Sequence, residues 1–385
     1  MKILLNTEKY PPDIGGLAVS VERLARLLLS GGQAVQVVVP STEIEPGQRA
    51  ASDHGGIAVH RFGLQRRVED SLADWFDLLV EVARQDRIDV IHGYFLSKAG
   101  FLAAYAGNYL GLPSIVSARG NDLDRAVFDP GKAAHILYAL QHASAVTANS
   151  RRLASQAQAL APGRPVVHIP NGVDGSHFRP LDRDVALAEG LGLGNTAVLA
   201  FVGEARAKKG LATLLLAFRQ IAAVRPAALL LLGGVRPGED ATLLEVFQKQ
   251  NPALRLIIQP YVPSNDLPAY YNLADLVLMP SRRDGLPNAL LEAMACERAV
   301  LATEAGGISD AIQDGENGRM VPVSDLQALV AAALELLADS EERQRLGRAA
   351  RQTVLAEFSL EQELQANLTL YDRLLNTEHH ASFPA

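Results

Sequence analysis

Short apolar runs alternate with longer amphipathic segments along the first half of the chain. Residues 3–6 form an apolar run of strand length, residues 19–30 carry apolar side chains at helical spacing, and residues 35–39 are apolar again. Similar runs predict strands at residues 89–92, 114–117 and 145–148, and helices at residues 72–84 and 100–109. Strand, helix and strand in this order predict right-handed parallel units.

A second series of the same kind begins near residue 197. Its predicted strands are residues 197–202, 228–232, 256–259, 276–279, 299–302 and 318–321. Its predicted helices include residues 211–223, 287–295 and 325–337. The polar, glycine-bearing stretch at residues 179–195 separates the two series and is a predicted linker.

The two series predict an α/β protein made of two doubly wound, Rossmann-like domains, residues 1–180 and residues 181–358. Open sheets of this kind bind ligands at the carboxyl ends of their strands, so we expect the two domains to face a central cleft. Residues 41–56 and 63–70 lack either period and are predicted loops.

Composition narrows the class of protein. Of 385 residues, 48% are hydrophobic and 21% charged, which is an ordinary globular balance. The formal net charge of −7 argues against a broad surface for nucleic acid. The single cysteine, Cys296, excludes an internal disulfide and a cysteine-cluster zinc site, and fits a reducing compartment.

The apolar run at the start of the sequence is too short for a signal peptide, and no later run approaches the ~20 apolar residues of a membrane span. We therefore expect a cytoplasmic location. Arg61, Arg66 and Arg67 leave weak association with the inner face of a membrane open.

Two glycine-bearing loops follow predicted strands. Gly15 and Gly16 stand between the first strand and the first helix, where backbone N–H groups can approach a phosphate or a sugar hydroxyl. A plain strand-to-helix turn explains this pair equally well. Gly306 and Gly307 stand in a similar place in the second half, and a structural turn is about as plausible there as a ligand contact.

A cationic loop follows the first strand of the second series. Arg206, Lys208 and Lys209 lie between Gly203 and Gly210. Cations at the carboxyl end of a strand suit a diphosphate. The alternative is a solvated basic turn, but the position at the strand end favours a function.

The clearest candidate is a loop that carries two carboxylates. Asp284 lies between a strand and a helix, and Glu292 lies within that helix among apolar neighbours. Such carboxylates can accept hydrogen bonds from the hydroxyls of a ribose and of a sugar. A surface aspartate and a helix-face glutamate are the alternative, although burial without a partner would be costly for Glu292.

These motifs, in their order and spacing, resemble the retaining glycosyltransferases of family 4, which have the GT-B fold. The matching segments extend over nearly the whole chain. They are Pro12 with Gly15 and Gly16, residues 89–92, 148–150, 169–174, 178–180, 203–210, 276–281 and 284–292, the pair Gly306 and Gly307, and residues 314–318.

The resemblance implies roles for the matching residues. Gly16 would face the donor phosphates or the acceptor, Lys209 the diphosphate, Glu292 the ribose hydroxyls and the Val262 backbone the base. The loop whose backbone N–H groups would contact the sugar and phosphates is formed by Leu286, Pro287, Asn288 and Ala289.

The chain departs from the family pattern at three places. Asp284 stands where the family usually has glutamate, which puts the identity of the transferred sugar in doubt. Glu204 replaces the usual arginine after Gly203, and Arg206 is the candidate substitute. Arg119 replaces the histidine of the first domain. The acceptor-side candidates are His92, Arg119 and Asp122. For His92, a structural role is the more frequent one, because it is a lone histidine in or after a strand.

The expected reaction is attack by an acceptor hydroxyl on the sugar as a nucleoside diphosphate departs. The catalytic candidates are Arg206, Lys209 and Asp284, and the two cations would stabilise charge on the leaving group. The resemblance implies retention of configuration. A cationic clamp on the diphosphate removes the need for a metal, so we expect neither metal nor cofactor.

The expected partners are a nucleotide sugar of UDP or GDP type and a hydroxyl acceptor, which is a sugar, a lipid-linked sugar or a small molecule. Surface-polysaccharide, glycolipid or small-glycoside synthesis fits these partners. A nucleotide-sugar epimerase of the same fold and a non-catalytic nucleotide-sugar-binding partner remain alternatives.

The end of the chain carries a last helical pattern. Residues 360–375 have apolar side chains near helical spacing. The family resemblance implies that residues 359–376 form a helix that returns to the first domain and assists domain closure. The polar tail, residues 378–385, is predicted to fray.

Overall fold

The protein is described by a computed structural model, which covers residues 1–378. All but the first residue of the tail that we expect to fray lies outside the described residues. The chain divides into two units, and the first consists of residues 1–171 and the segment that begins at Leu360. The second is Gly172–Ser359, so the division lies before the residue 180 expected from the sequence.

The first unit contains eight strands. They are β1 Lys2–Thr7, β2 Ala34–Pro46, β3 Arg49–Asp53, β4 Ala58–Gly63, β5 Val90–Tyr94, β6 Ser114–Ala118, β7 Ala145–Ala148 and β8 Val166–His168. The sheet has the order β3-β4-β2-β1-β5-β6-β7-β8, and only the β3–β4 pair within it is antiparallel. Every residue of β5, β6 and β7 is buried, as expected for the inner strands of a parallel sheet whose two faces are both covered.

The α-helices of this unit lie between the strands and at the end of the chain. They are α1 Gly16–Ser30, α2 Val68–Asp86, α3 Phe101–Leu110, α4 Asn121–Asp124, α5 Pro130–His142 and α6 Arg151–Leu160, and the C-terminal helix Leu360–Glu378.

The expectation of a loop at residues 41–56 is wrong. Strand β2 continues to Pro46, and β3 pairs antiparallel with β4. All five residues of β3 are exposed, which explains the failure of a prediction based on apolar runs. An edge strand buries little, so backbone pairing alone marks it.

The second unit contains six strands in the order β11-β10-β9-β12-β13-β14. They are β9 Ala197–Val202, β10 Ala227–Leu232, β11 Arg255–Gln259, β12 Leu276–Met279, β13 Val300–Thr303 and β14 Arg319–Val321, and all pairs are parallel. The α-helices are α7 Val185–Gly190, α8 Leu211–Val224, α9 Glu239–Gln250, α10 Leu267–Leu273, α11 Asn288–Ala295, α12 Leu326–Ala338 and α13 Ser340–Glu357. Helix α7 lies in the predicted linker.

The C-terminal helix, α14 (Leu360–Glu378), belongs to the first unit and packs against α1. Glu363 is 2% exposed and accepts hydrogen bonds of 2.7 and 3.1 Å from Arg23 of α1. Leu370 and Tyr371 are buried in the same core as β1 and α1. The helix is therefore an integral part of the first unit.

Each sheet has one place where the strand order reverses. In the first unit the chain proceeds outward from β1 through β2 and then returns to β5 on the other side of β1. In the second unit the reversal lies between β9 and β12. The loops that follow these strands form a crevice at the carboxyl edge of each sheet, where open α/β sheets bind their ligands.

Within residues 1–378, no helix combines the length and the apolar character needed to cross a membrane.

Candidate active site

The candidate site of the second unit lies at the reversal between β9 and β12. Lys209 follows β9, Asp284 follows β12, and the ammonium of the first forms an ion pair with the carboxylate of the second. The two side chains are 16% and 14% exposed. The fold thus brings together two candidate residues that are 75 positions apart in the sequence.

Two glycines permit the loops of this site to approach each other. Gly210 has a φ of +79°, and a Cβ there would collide with the carbonyl oxygen of Pro280. Gly306 has a φ of +65°, and a Cβ there would collide with the carbonyl oxygen of Asp284. Gly306 therefore has a structural reason to be glycine, because any side chain there would collide with the backbone of the carboxylate loop.

Backbone hydrogen bonds also hold these loops. The N–H of Arg282 donates to the carbonyl of Lys208 at 2.9 Å, and the N–H of Gly307 donates to that of Gly285 at 3.1 Å. The Asp284 carboxylate accepts the N–H of Gly285 at 3.1 Å. The cationic loop and the carboxylate loop are thus one connected structure.

Helix α11 begins directly after the carboxylate loop. Pro287 precedes Asn288, the first residue of the helix, and no side chain of the described chain caps this end. The backbone N–H groups of a first helical turn carry partial positive charge and suit an anion. Leu286 and Pro287 are buried, whereas Asn288 and Ala289 are partly exposed.

Glu292 lies one turn into α11 and is partly exposed. The hydroxyl of Tyr271, which belongs to α10 and is fully buried, donates to a Glu292 carboxylate oxygen at 2.7 Å. Burial, followed by the charge of Glu292, raises the pKa of Tyr271 well above its ordinary value. Tyr271 is therefore a permanent donor that fixes the orientation of Glu292.

Arg206 forms an ion pair of 3.2 Å with Glu204, and the two side chains are 25% and 47% exposed. Among residues 1–378, nothing accepts a hydrogen bond from the buried Nε of Arg206. Glu204, the residue that departs from the family pattern, thus engages the cation expected to replace the missing arginine. Val262 is 9% exposed and packs in the core beside β10.

In the first unit, Gly15 and Gly16 lie at the amino end of α1 and are both exposed. A Cβ at either position would meet no heavy atom within 4 Å. Gly15 has a φ of +132°, which L residues rarely adopt. The open surroundings leave the backbone of this turn accessible to a ligand.

His92 lies inside the first sheet and is 1% exposed. Its Nδ1 is 2.7 Å from the hydroxyl of Tyr371 and its Nε2 is 2.7 Å from that of Ser117. Burial, followed by the charge of Arg119, lowers its pKa to about 3. The expectation that His92 faces an acceptor is corrected here, because a neutral imidazole with both nitrogens engaged is a structural residue.

Asp122 is fully buried, and its carboxylate accepts the backbone N–H groups of Arg119, Gly120 and Leu123 at 2.8 to 3.1 Å. Burial raises its pKa, and these hydrogen bonds oppose that shift. Asp122 therefore organises the turn that presents Arg119 and does not itself point at a ligand.

Arg119 follows β6 and is partly exposed. Its guanidinium lies 3.9 Å from the ring centre of Tyr94 and donates to the Asn171 side chain at 2.8 Å. Burial lowers its pKa to about 9, so it still carries its charge at neutral pH. Arg119 remains the acceptor-side candidate with a charge to offer.

The two halves of the chain each match a known family model. Residues 14–177 match the model for Glycosyltransferase Family 4, and residues 187–353 match that for Glycosyl transferases group 1. This chain is a family 4 glycosyltransferase. The family and the class of enzyme predicted from the sequence are thereby confirmed.

The sequence similarity of this glycosyltransferase to known proteins covers most of the chain. N-acetyl-alpha-D-glucosaminyl L-malate synthase of Bacillus anthracis is 23% identical over 98% of this chain and 99% of its own. A D-inositol 3-phosphate glycosyltransferase of Segniliparus rotundus is 27% identical over 88% of this chain and 80% of its own.

Solved structures share the fold of the glycosyltransferase. Sucrose-phosphate synthase from Thermosynechococcus elongatus has a TM-score of 0.82 at 22% identity, covering 98% of this chain and 99% of that chain. Anabaena HepE in complex with UDP-glucose has a TM-score of 0.79 at 20% identity, covering 97% of this chain and 100% of that chain. The predicted GT-B fold with two Rossmann-like domains is confirmed.

Nothing in the sequence indicated that Tyr271 would contact a residue of this glycosyltransferase's candidate site. It stands beside Tyr270 in a short helix, just before the strand that leads to Asp284. An aromatic residue in such a helix is ordinarily a core residue, so no local signal distinguishes it. Only its contact with Glu292, 21 positions later, reveals a connection to the site.

Proposed function

We propose that this glycosyltransferase moves a sugar from a UDP- or GDP-type nucleotide sugar to an acceptor hydroxyl and retains the anomeric configuration. The observation that carries the proposal is the meeting of Lys209 with Asp284 at the strand reversal, directly before α11. A cation, a carboxylate and a helix amino end at one point match the diphosphate and the hydroxyls of a nucleotide sugar.

The donor groups follow from this arrangement. Lys209 and the first turn of α11 bind the diphosphate, with the backbone of residues 286–289 against its oxygens and the sugar. Glu292, oriented by Tyr271, accepts hydrogen bonds from ribose hydroxyls, and the backbone at Val262 contacts the base. Asp284 accepts a hydroxyl of the transferred sugar.

The chemistry is the departure of the nucleoside diphosphate. Lys209 stabilises the charge that develops on it, assisted by Arg206 once a diphosphate competes with Glu204. In the described structure Asp284 is paired with Lys209 and Glu292 with Tyr271, so neither is poised as a nucleophile. This supports attack from the leaving-group side, with the acceptor proton passing to a phosphate oxygen. We infer that the reaction needs no metal, because fixed cations already face the diphosphate.

The acceptor side is inferred from the first unit. The open turn at Gly15 and Gly16 and the charged Arg119 supply N–H donors at the carboxyl edge of the first sheet. Related proteins are named for L-malate and for D-inositol 3-phosphate. A hydroxyl acceptor in surface-polysaccharide, glycolipid or small-glycoside synthesis fits these groups, and the buried Cys296 fits action in the cytoplasm.

The proposal is tested by supplying UDP- and GDP-sugars and measuring nucleoside diphosphate release with and without a panel of hydroxyl acceptors. Acceptor-dependent release, with retention at the anomeric carbon by proton NMR, is the expected result. Release that never depends on an acceptor, or an inverted product, would contradict it.

The site assignment is tested by calorimetry with the nucleoside diphosphate. Lys209→Ala and Glu292→Ala should each weaken binding at least about tenfold, because a hydrogen bond to a charged group contributes about 1.5–3 kcal/mol. The exposed Lys249→Ala and Glu245→Ala on α9 are matched controls. Unchanged affinity in both site variants would remove these residues from the donor site.

A further inference from the structure

The second unit contains a cavity of about 350 Å³ at the edge of the sheet opposite to the donor loops. It is lined by the turn that precedes β9, residues 194–197, and by residues just before two other strands, Arg225 before β10 and Asp275 before β12. Arg183, and Arg343 of α13, complete its polar wall. It therefore lies at the amino ends of the strands, away from Lys209 and Asp284.

The charge of this cavity is positive. Its lining residues include three arginines and a single carboxylate, Asp275, which already accepts the N–H of Val198 at 2.8 Å. Its other oxygen is 3.9 Å from Arg343. The chain as a whole has a formal net charge of −7, but this local excess of arginines attracts an anion.

Two of the arginines are held in place by backbone carbonyls. Arg343 donates to the carbonyls of Leu336 and Leu337 at 2.6 and 2.9 Å, and Arg183 donates to that of Leu273 at 3.3 Å. Carbonyls orient a guanidinium without neutralising its charge. Each arginine has five N–H groups, so donors remain for a ligand.

Arg225 differs from the other two. It is partly buried, and among the side chains that the structure describes none accepts a hydrogen bond from its guanidinium or forms an ion pair with it. A partly buried arginine without a protein partner is available to a ligand.

A second cavity, of about 420 Å³, adjoins the first. The two share Arg225, Asn195 and Ala197, and the second is otherwise lined by Val224, Pro226 and other apolar side chains. Arg225 thus lines both the cavity with the three arginines and the adjoining, largely apolar cavity.

We propose that the arginine cavity binds a small phosphate monoester, with the phosphate between Arg183, Arg225 and Arg343 and the organic part toward the adjoining cavity. Guanidinium groups match phosphate oxygens in geometry, and three of them suit a dianion. The site is separate from the donor site, so a phosphorylated metabolite occupies it while a nucleotide sugar is bound. The cavity touches the amino ends of β9 and β12, whose carboxyl ends lead to Lys209 and Asp284.

The test is calorimetry with glucose 6-phosphate and with inorganic phosphate at constant ionic strength. Both should bind saturably to the wild type, whereas glucose should not bind. Arg225→Gln should weaken both anions at least about tenfold, since it removes a charged donor. Arg219→Gln, an exposed arginine on α8 outside the cavity, is the matched control and should change nothing.

Lys209→Ala separates this cavity from the donor site. Anion binding that survives Lys209→Ala and is lost in Arg225→Gln supports the proposal, even if the proposed donor site proves wrong. Absence of saturable binding, binding unaffected by Arg225→Gln, or binding lost with Lys209→Ala would each overturn it. Because the Arg225 side chain makes no hydrogen bond or ion pair among the described residues, we expect the variant to keep the melting temperature of the unliganded wild type.

Discussion

The ion pair between Lys209 and Asp284 predicts that nucleoside diphosphate binding and catalysis respond in opposite directions to one substitution. In the described structure the lysine already has a carboxylate partner, and both side chains are largely buried. A diphosphate bound by Lys209 has to share that partner or displace it. Asp284→Asn removes the competing charge and keeps an oxygen that can accept the N–H of Gly285.

The magnitude follows from the strength of the competing contact. Hydrogen bonds between charged groups contribute about 1.5–3 kcal/mol, and binding breaks a part of this one. A recovered 1 kcal/mol or so corresponds to roughly fivefold tighter binding of the nucleoside diphosphate. Transfer should fall by about tenfold or more, because the sugar loses a charged acceptor in the transition state.

Calorimetry of the nucleoside diphosphate, together with turnover under saturating donor, measures both effects. Lys209→Met is the comparison, since it should weaken binding and slow transfer together. If Asp284→Asn weakens nucleoside diphosphate binding as much as Lys209→Met does, Asp284 positions the lysine for the diphosphate and the competition argument is wrong.

Four further predictions follow from individual contacts. Activity should persist in EDTA, because Lys209 supplies the charge a metal would provide; complete loss of turnover, restored by magnesium or manganese, would show the opposite. Tyr271→Phe should raise the Michaelis constant of the donor several-fold with a smaller change in kcat, since Glu292 loses its orienting donor but keeps its charge. Tyr109→Phe, at an exposed position of the first unit, is the control, and an unchanged Michaelis constant in Tyr271→Phe would exclude this role. The unfolded chain protonates His92 near its ordinary pKa of about 6.5, whereas the folded chain does so only near about 3. The unfolded state therefore binds more protons, and on going from pH 7 to pH 5 His92 should lower the free energy of unfolding by about 2 kcal/mol. Urea unfolding at the two pH values should show a free-energy loss that is smaller by this amount in His92→Asn than in the wild type. An equal loss in both proteins would contradict the burial argument. Removal of residues 360–385 should destabilise the first unit, which loses the partners of Arg23 and His92, yet leave nucleoside diphosphate affinity intact; differential scanning calorimetry and isothermal titration distinguish the two effects.

The sequence by itself determined the architecture, because burial on both faces of a parallel sheet leaves a local pattern. All six residues of β10 are buried, and their unbroken apolar run is visible without the fold. The loop between β12 and α11 is similarly local, since its glycine and prolines mark a turn at a strand end. The family resemblance rested on such contiguous segments. The site assignments drawn from it stay predictions.

Only the tertiary structure decided what each side chain touches. Strand β3 is exposed along its whole length, so its pairing with β4 leaves no apolar signal. The sequence indicates His92 only as an acceptor-side candidate, because its hydrogen-bond partner Tyr371 lies 279 positions away.

The same holds for the groups that orient and balance the site. Tyr271 of α10 donates a hydrogen bond to Glu292 of α11. The same cavity is lined by Arg183, Arg225 and Arg343, which come from three separate segments of the chain. Hydrophobic periodicity reports which residues are buried, because burial follows the local period of a helix or strand. Hydrogen bonds and charges depend on which segments the topology brings together, and that information is not local in the chain.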